Sequence, residues 1–187
     1  MNRFRLELII GPMFSGKSTE LIRRISCCEA IGQSSLLVNH TFDTRTTNFV
    51  KTHNNQKKKA IKTNNLMKLI ETREFEFANI IGIDEAQFFP DLKEFILTIE
   101  HLSKRIYVAG LDGDYKREPI GQILECIPLC DKIDRLTGMD MVSRDGSCGL
   151  FTKRIVNDTE SIVIGDSDKY LTVNRENYLR NKNNKNK

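Results

Sequence analysis

The chain has 187 residues, 39% of them hydrophobic and 29% charged, with 29 Lys and Arg against 25 Asp and Glu. That length suits one domain with at most an appendage, and the composition excludes a disordered chain. No apolar run approaches the roughly 18 residues of a spanning helix, so a membrane protein is not indicated.

The net charge of +4 is local. Arg175 to Lys187 holds five basic residues and one acid, whereas the rest carries 24 of each sign. A neutral body argues against a nucleic-acid-binding face, and the asparagine- and lysine-rich end reads as a solvated, disordered tail. Five cysteines without a CxxC pair read as reduced thiols in a cytoplasmic protein. The basic N-terminus runs straight into a glycine loop and is not read as a signal peptide.

The strongest segments alternate between strand and helix. Leu6 to Ile10 is a short apolar run ended by Gly11 and Pro12. Lys17 to Ile31 has helical spacing, with Leu21, Ile22, Ile25 and Cys28 on one side and Gly32 as the stop. Ser35 to Asn39 reads as a second strand. Thr41 to Lys59 is polar, without a clear period, and reads as a long functional loop. A helix is expected around Leu66 to Arg73, a third strand at Ile80 to Asp84, and a helix from Pro90 to Ser103. Arg105 to Leu111 is a fourth strand, and Lys132 to Leu136 suggests another. The alternation predicts an α/β domain with a mostly parallel sheet covered on both faces. After Thr137 the pattern becomes short strands, at Phe151 to Val156, Ser161 to Ile164 and Lys169 to Val173. The expected division is a domain over 1–136, a small β-rich domain over 137–178 and the tail over 179–187.

Gly11, Pro12, Met13, Phe14, Ser15, Gly16, Lys17 and Ser18 match GxxxxGK[ST], after the first strand and opening the first helix. Glycines let backbone N–H groups curl around phosphate oxygens, and the helix N-terminus adds partial positive charge. Lys17 would bridge the β and γ phosphates of ATP, and the Ser18 hydroxyl would ligate Mg²⁺. Asp84 ends an apolar strand as a second metal carboxylate should. Glu85 follows, either as a catalytic base or as a helix-capping acid. These residues leave open an ATPase acting on a macromolecular partner and a small-molecule kinase. The short chain and neutral body favour the kinase mildly.

The strings GPMFSGKST, DTR, DEAQFF, LDGDYKREPIG, FTKR and VIGDSDKY occur in this order. Together they resemble the thymidine kinase family shared by animal cells and poxviruses, over roughly Leu6 to Tyr178. The resemblance implies transfer of the γ-phosphoryl group of ATP to the 5′-hydroxyl of thymidine. It implies a RecA-like P-loop domain, a small lasso domain and a homotetramer, with no nucleic-acid or membrane partner. By position it makes Glu85 the catalytic base. It sets Asp43 and Arg45 beside the phosphates, and Gln87 in the segment next to ATP. Met13, Phe88, Tyr115 and Thr152 fall in the base pocket. Ser161, Ile162, Val163, Ile164, Gly165 and Tyr170 fall in the lasso. Asp114 and Asp166 stand where the family usually has threonine and glycine.

One family feature is missing. Relatives of this kind hold the small domain with structural zinc on two CxxC pairs. Asn174 and Asn177 occupy the second pair's positions, and the first pair falls near Leu136 to Ser143 in a less certain alignment. Cys148 is the only thiol nearby, and one thiol with two asparagines does not make a zinc site. No structural zinc is expected. Apolar packing of Phe151, Ile155, Ile162, Ile164 and Leu171, or subunit contacts, are expected to take its place.

Overall fold

The computed structural model describes residues 3–43, 49–51, 57–156 and 168–180. Strand β1 (Arg5–Gly11), helix α1 (Lys17–Glu29) and strand β2 (Ser35–His40) fall where the apolar spacing predicts them. The segment expected to be a loop contains structure: β3 (Phe49–Lys51) pairs antiparallel with β4 (Lys57–Lys59), and β5 (Ile61–Thr63) follows. Its sparse apolar residues give no period, yet Val50 is buried, as is Ala60 just beyond the segment.

The helix expected at Leu66 to Arg73 is displaced. A single 3₁₀ turn spans Met67–Leu69, and α2 runs Arg73–Phe77. Two side chains set that break. The Asp91 carboxylate takes the backbone N–H groups of Leu66 and Met67, at 2.6 and 3.0 Å. The Thr72 hydroxyl then caps α2 by accepting from Phe75 N–H at 3.2 Å.

Next come β6 (Ile80–Asp84), α3 (Leu92–Ile99), β7 (Arg105–Leu111) and β8 (Lys132–Arg135). Helix α3 is shorter than expected at both ends. Small elements close the chain: β9 (Gly138–Met139), β10 (Cys148–Gly149), β11 (Phe151–Arg154), β12 (Tyr170–Val173) and α4 (Arg175–Leu179). Helix α4 lies where only the end of the small domain and the tail are expected. The expected strand at Ser161 to Ile164 lies outside the described residues.

The main sheet has the order β5-β2-β6-β7-β1-β8, and every pairing in it is parallel. Both faces are covered, so neighbouring residues on one strand are buried in opposite directions. Leu8 and Ile10 pack with Ile83, Val108, Phe95 and Ile96 on one face. Ile9 packs with Leu21, Ile25 and Leu37 under α1 on the other. Gly82 allows α1 to lie close, since a Cβ there would sit 2.4 Å from Ile25 Cδ1.

Helix α1 is also held by charge. The buried Arg24 guanidinium donates to Glu20 on its own helix at 2.8 Å, to Glu7 on β1 at 2.9 Å and to Asp134 on β8 at 2.6 Å. Its charge is therefore paired three ways, as burial requires.

Candidate active site

The site lies at the carboxyl ends of the parallel strands, where ligands bind in open α/β sheets. Strand β1 ends at Gly11, whose backbone passes so near the residue after β8 that a Cβ would lie 2.4 Å from Leu136 O. Phe14 and Gly16 both have left-handed backbone, at φ 59° and 83°. These turns wind residues 11–16 into a loop that delivers the chain to the N-terminus of α1. Inside it, Ser15 Oγ donates to Pro12 O at 2.8 Å. Lys17 Nζ donates to the same carbonyl at 2.6 Å, so its charge is held over the loop.

Ser18, in the first turn of α1, donates its hydroxyl to Asp84 Oδ1 at 3.1 Å. Asp84 is buried at the end of β6. A hydroxyl and a carboxylate in contact form a hard-oxygen donor set, which fits Mg²⁺ completed by water and phosphate. Beside Asp84 in the β2–β6 ladder stands Asn39, whose amide donates to Asp43 at 2.8 Å. Asp43 is thus brought to the same strand ends. Arg45 lies outside the described residues.

Glu85 has left-handed backbone, φ 53°, an uncommon state for a side chain of this kind. The twist turns the chain off β6 into a 3₁₀ turn at Ala86–Phe88. Strained backbone of this sort concentrates at functional sites. Gln87 donates from Nε2 to Glu85 Oε2 at 2.7 Å, and its Oε1 accepts from Leu111 N–H at 3.0 Å. Its side chain, expected beside ATP, is engaged with Glu85 and the end of β7.

Of the two adjacent phenylalanines, Phe89 is core and Phe88 is half-buried. Phe88 stands against His40 and Phe42, with ring centroids 5.7 Å away in each case. Burial lowers the His40 pKa below its usual 6.5, against the opposing pull of Asp91 and Glu85. Neutral His40 Nδ1 accepts from Phe42 N–H at 3.1 Å.

The other wall comes from the small elements. Thr152 Oγ1 accepts from Met13 N–H at 3.0 Å, and the Thr172 hydroxyl donates to Met13 O. Thr152 and Thr172 are directly paired across β11 and β12, so the hairpin grips the phosphate loop at one residue. Asp114 Oδ1 accepts from Lys116 and Glu118 N–H, at 2.7 and 2.8 Å, fixing the turn that carries Tyr115. That supplies a role for the aspartate found in place of threonine. Tyr178 in α4 donates its hydroxyl to Tyr115 O at 2.8 Å.

Sequence reasoning missed Arg154. Its guanidinium carbon lies 3.8 Å above the Tyr115 ring centroid, and Nη2 donates to Tyr170 Oη at 2.9 Å. The signal was available: on a strand, Arg154 shares a face with Thr152, two residues earlier. Ser161 to Gly165 and Asp166 lie outside the described residues.

A family model described as thymidine kinase matches residues 4–178. The thymidine kinase of Myxoma virus (strain Uriarra) is 41% identical over 176 residues, covering 94% of this chain and 96% of that protein. The thymidine kinase of Vaccinia virus (strain Western Reserve) is 38% identical over 180 residues, covering 96% and 99%. Among solved structures, a DNA replication initiation factor overlays 75% of this chain and 42% of its own, with a TM-score of 0.42 and 12% identity.

Proposed function

The chain belongs to the thymidine kinase family and phosphorylates thymidine from ATP, and we propose that Glu85 is the base of that transfer. One observation carries the assignment. Glu85 directly follows the carboxylate tied to the phosphate loop through Ser18, and Gln87 holds its side chain in a fixed direction.

In this reading the loop N–H groups and Lys17 hold the phosphates and spread the charge that builds on them. Ser18 and Asp84 would hold Mg²⁺, which when bound neutralises phosphate charge. Glu85 takes the proton of the thymidine 5′-hydroxyl as its oxygen attacks the γ-phosphorus. Phe88 and Tyr115 flank the base, Met13 and Thr152 close the pocket between them, Tyr170 covers it, and Ser161, Ile162, Val163, Ile164 and Gly165 belong to the thymidine contacts by resemblance alone. Asp43 and Arg45 serve the phosphate side.

The proposal extends to the assembly and setting. A homotetramer would cover apolar side chains such as Ile31 and Phe77, exposed at 76% and 71%. All five cysteines are free thiols, which suits the cytoplasm. Among the described residues no helix is long and apolar enough to cross a membrane. The division near residue 136 separates the sheet domain from the gripping hairpin.

ADP release against a panel of nucleosides tests the reaction. Release that requires thymidine supports it, and release that is indifferent to nucleoside overturns it. Light scattering of the purified enzyme tests the tetramer.

A further inference from the structure

Around the two asparagines that stand at zinc-ligand positions, four polar side chains converge without forming a metal-binding donor set. Asp140, Ser143, Asn174 and Asn177 form two i, i+3 pairs, the spacing of CxxC. The structure brings Asp140 and Ser143 against Asn174 and Asn177. Among the described residues no three His, Cys, Asp or Glu side chains gather to hold a metal. Asparagine amides and a serine hydroxyl do not suit zinc.

What gathers there is a hydrogen-bonded knot around one carboxylate. Asp140 is 2% exposed. Its Oδ1 accepts the N–H groups of Val142 and Ser143, at 2.8 and 2.6 Å. Its Oδ2 accepts Asn174 N–H at 2.5 Å. Asn177 Nδ2 lies 3.1 Å from both oxygens and donates to Ser143 Oγ at 2.7 Å. Asn174 Oδ1 caps α4 by accepting Asn177 N–H at 2.8 Å. Burial raises the Asp140 pKa, but the donors from Asn174, Ser143, Asn177 and Val142 outweigh it and hold the value at about 2. The carboxylate is therefore charged wherever the enzyme works.

We propose that Asp140 does in this chain what zinc does in its relatives: it ties the loop after β9 to β12 and α4, and so positions the thymidine pocket. Two connections run from the knot to that pocket. Thr172, two residues before Asn174, donates to Met13 O. Tyr178, one residue after Asn177, donates to Tyr115 O. Asp140 is a positioning residue, and this second step rests on the assignment of Met13 and Tyr115 to thymidine. Of the apolar residues expected to take the place of zinc, Ile155 is 48% exposed, and Ile162 and Ile164 lie outside the described residues.

Asp140→Asn keeps the shape but turns an acceptor into a donor facing other donors. The thymidine KM should rise about tenfold or more, as a charge-assisted network is lost, with the ATP KM unchanged. Amide exchange at Thr172 to Tyr178 should quicken, while β1, β6 and β7 keep their protection. Unchanged exchange in that segment overturns the tie. Faster exchange with an unchanged thymidine KM keeps the tie and removes the thymidine assignment of Met13 and Tyr115. A second variant covers failure of the first to fold. With all four positions changed to Cys (D140C, S143C, N174C, N177C), the protein should bind about one zinc per chain. It should keep the thymidine KM until a zinc-selective chelator is added with Mg²⁺ in excess. No zinc uptake by that variant, or a stoichiometric zinc in the wild-type protein, overturns the proposal.

Discussion

Gln87 aims Glu85. Its Nε2 donates to Glu85 Oε2 at 2.7 Å, and its Oε1 is fixed by Leu111 N–H at 3.0 Å, so the end of β7 sets where the carboxylate points. The packing leaves no slack, since a Cβ on Gly110 would lie 2.7 Å from that Oε1. Gln87→Met keeps the length and loses both bonds. The expected kcat falls about 10- to 100-fold, because a misdirected base costs more than its binding contacts. Steady-state kinetics check it, with the thymidine KM within about twofold of wild type if Gln87 acts through Glu85 alone.

Glu85→Gln tests the base directly. The amide fills the same space and cannot take a proton. Turnover should fall roughly 10²- to 10⁴-fold with ATP affinity retained. Calorimetric titration of ATP beside turnover separates the two, and unchanged turnover removes Glu85 from the chemistry.

Lys17→Ala removes the charge held over the loop by Pro12 O. Turnover should fall roughly 10²- to 10³-fold or more as the stabilisation of transferring phosphate is lost. The fold should persist, since Lys17 lies outside the apolar clusters. Circular dichroism confirms the fold, and a folded, fully active variant overturns the phosphate-loop assignment.

His40 gives a pH dependence. Burial lowers its pKa below 6.5, so the neutral form is favoured in the folded state, with Asp91 and Glu85 opposing that shift. The stabilisation is therefore complete above the unfolded value and lost as pH falls through the folded one. Protonation also ends the acceptance of Phe42 N–H at Nδ1 and loosens the rings around Phe88. The thymidine KM should rise as the pH falls below the ordinary imidazole value, from the His40 titration. His40→Gln should flatten that limb, which KM measured across the range decides.

The α/β core was legible because burial on both faces writes itself into composition. Leu6 to Ile10, Ile80 to Asp84 and Arg105 to Leu111 are apolar runs that a parallel sheet needs. The phosphate loop and the Asp84–Glu85 pair were legible because their chemistry requires those residue types at strand ends. The pair β3 and β4 was not, because three-residue strands are too short to show a period. Nor was the break before α2, which depends on Asp91, far away in sequence. The partnership of Asp140 with Asn174 and Asn177 was hidden for the same reason. Local pattern carries one element at a time, whereas a knot is made of separations of 34 and 37 residues.

The Arg24 fork has a further consequence. An apolar helix face can slide or roll on a sheet at little cost, because dispersion has no direction. A planar guanidinium answered by carboxylates on α1, β1 and β8 permits one azimuth and one axial setting. Helix α1 is keyed to the sheet like a shaft in its hub. Lys17 and Ser18, roughly two turns up that shaft, inherit the alignment before any nucleotide arrives.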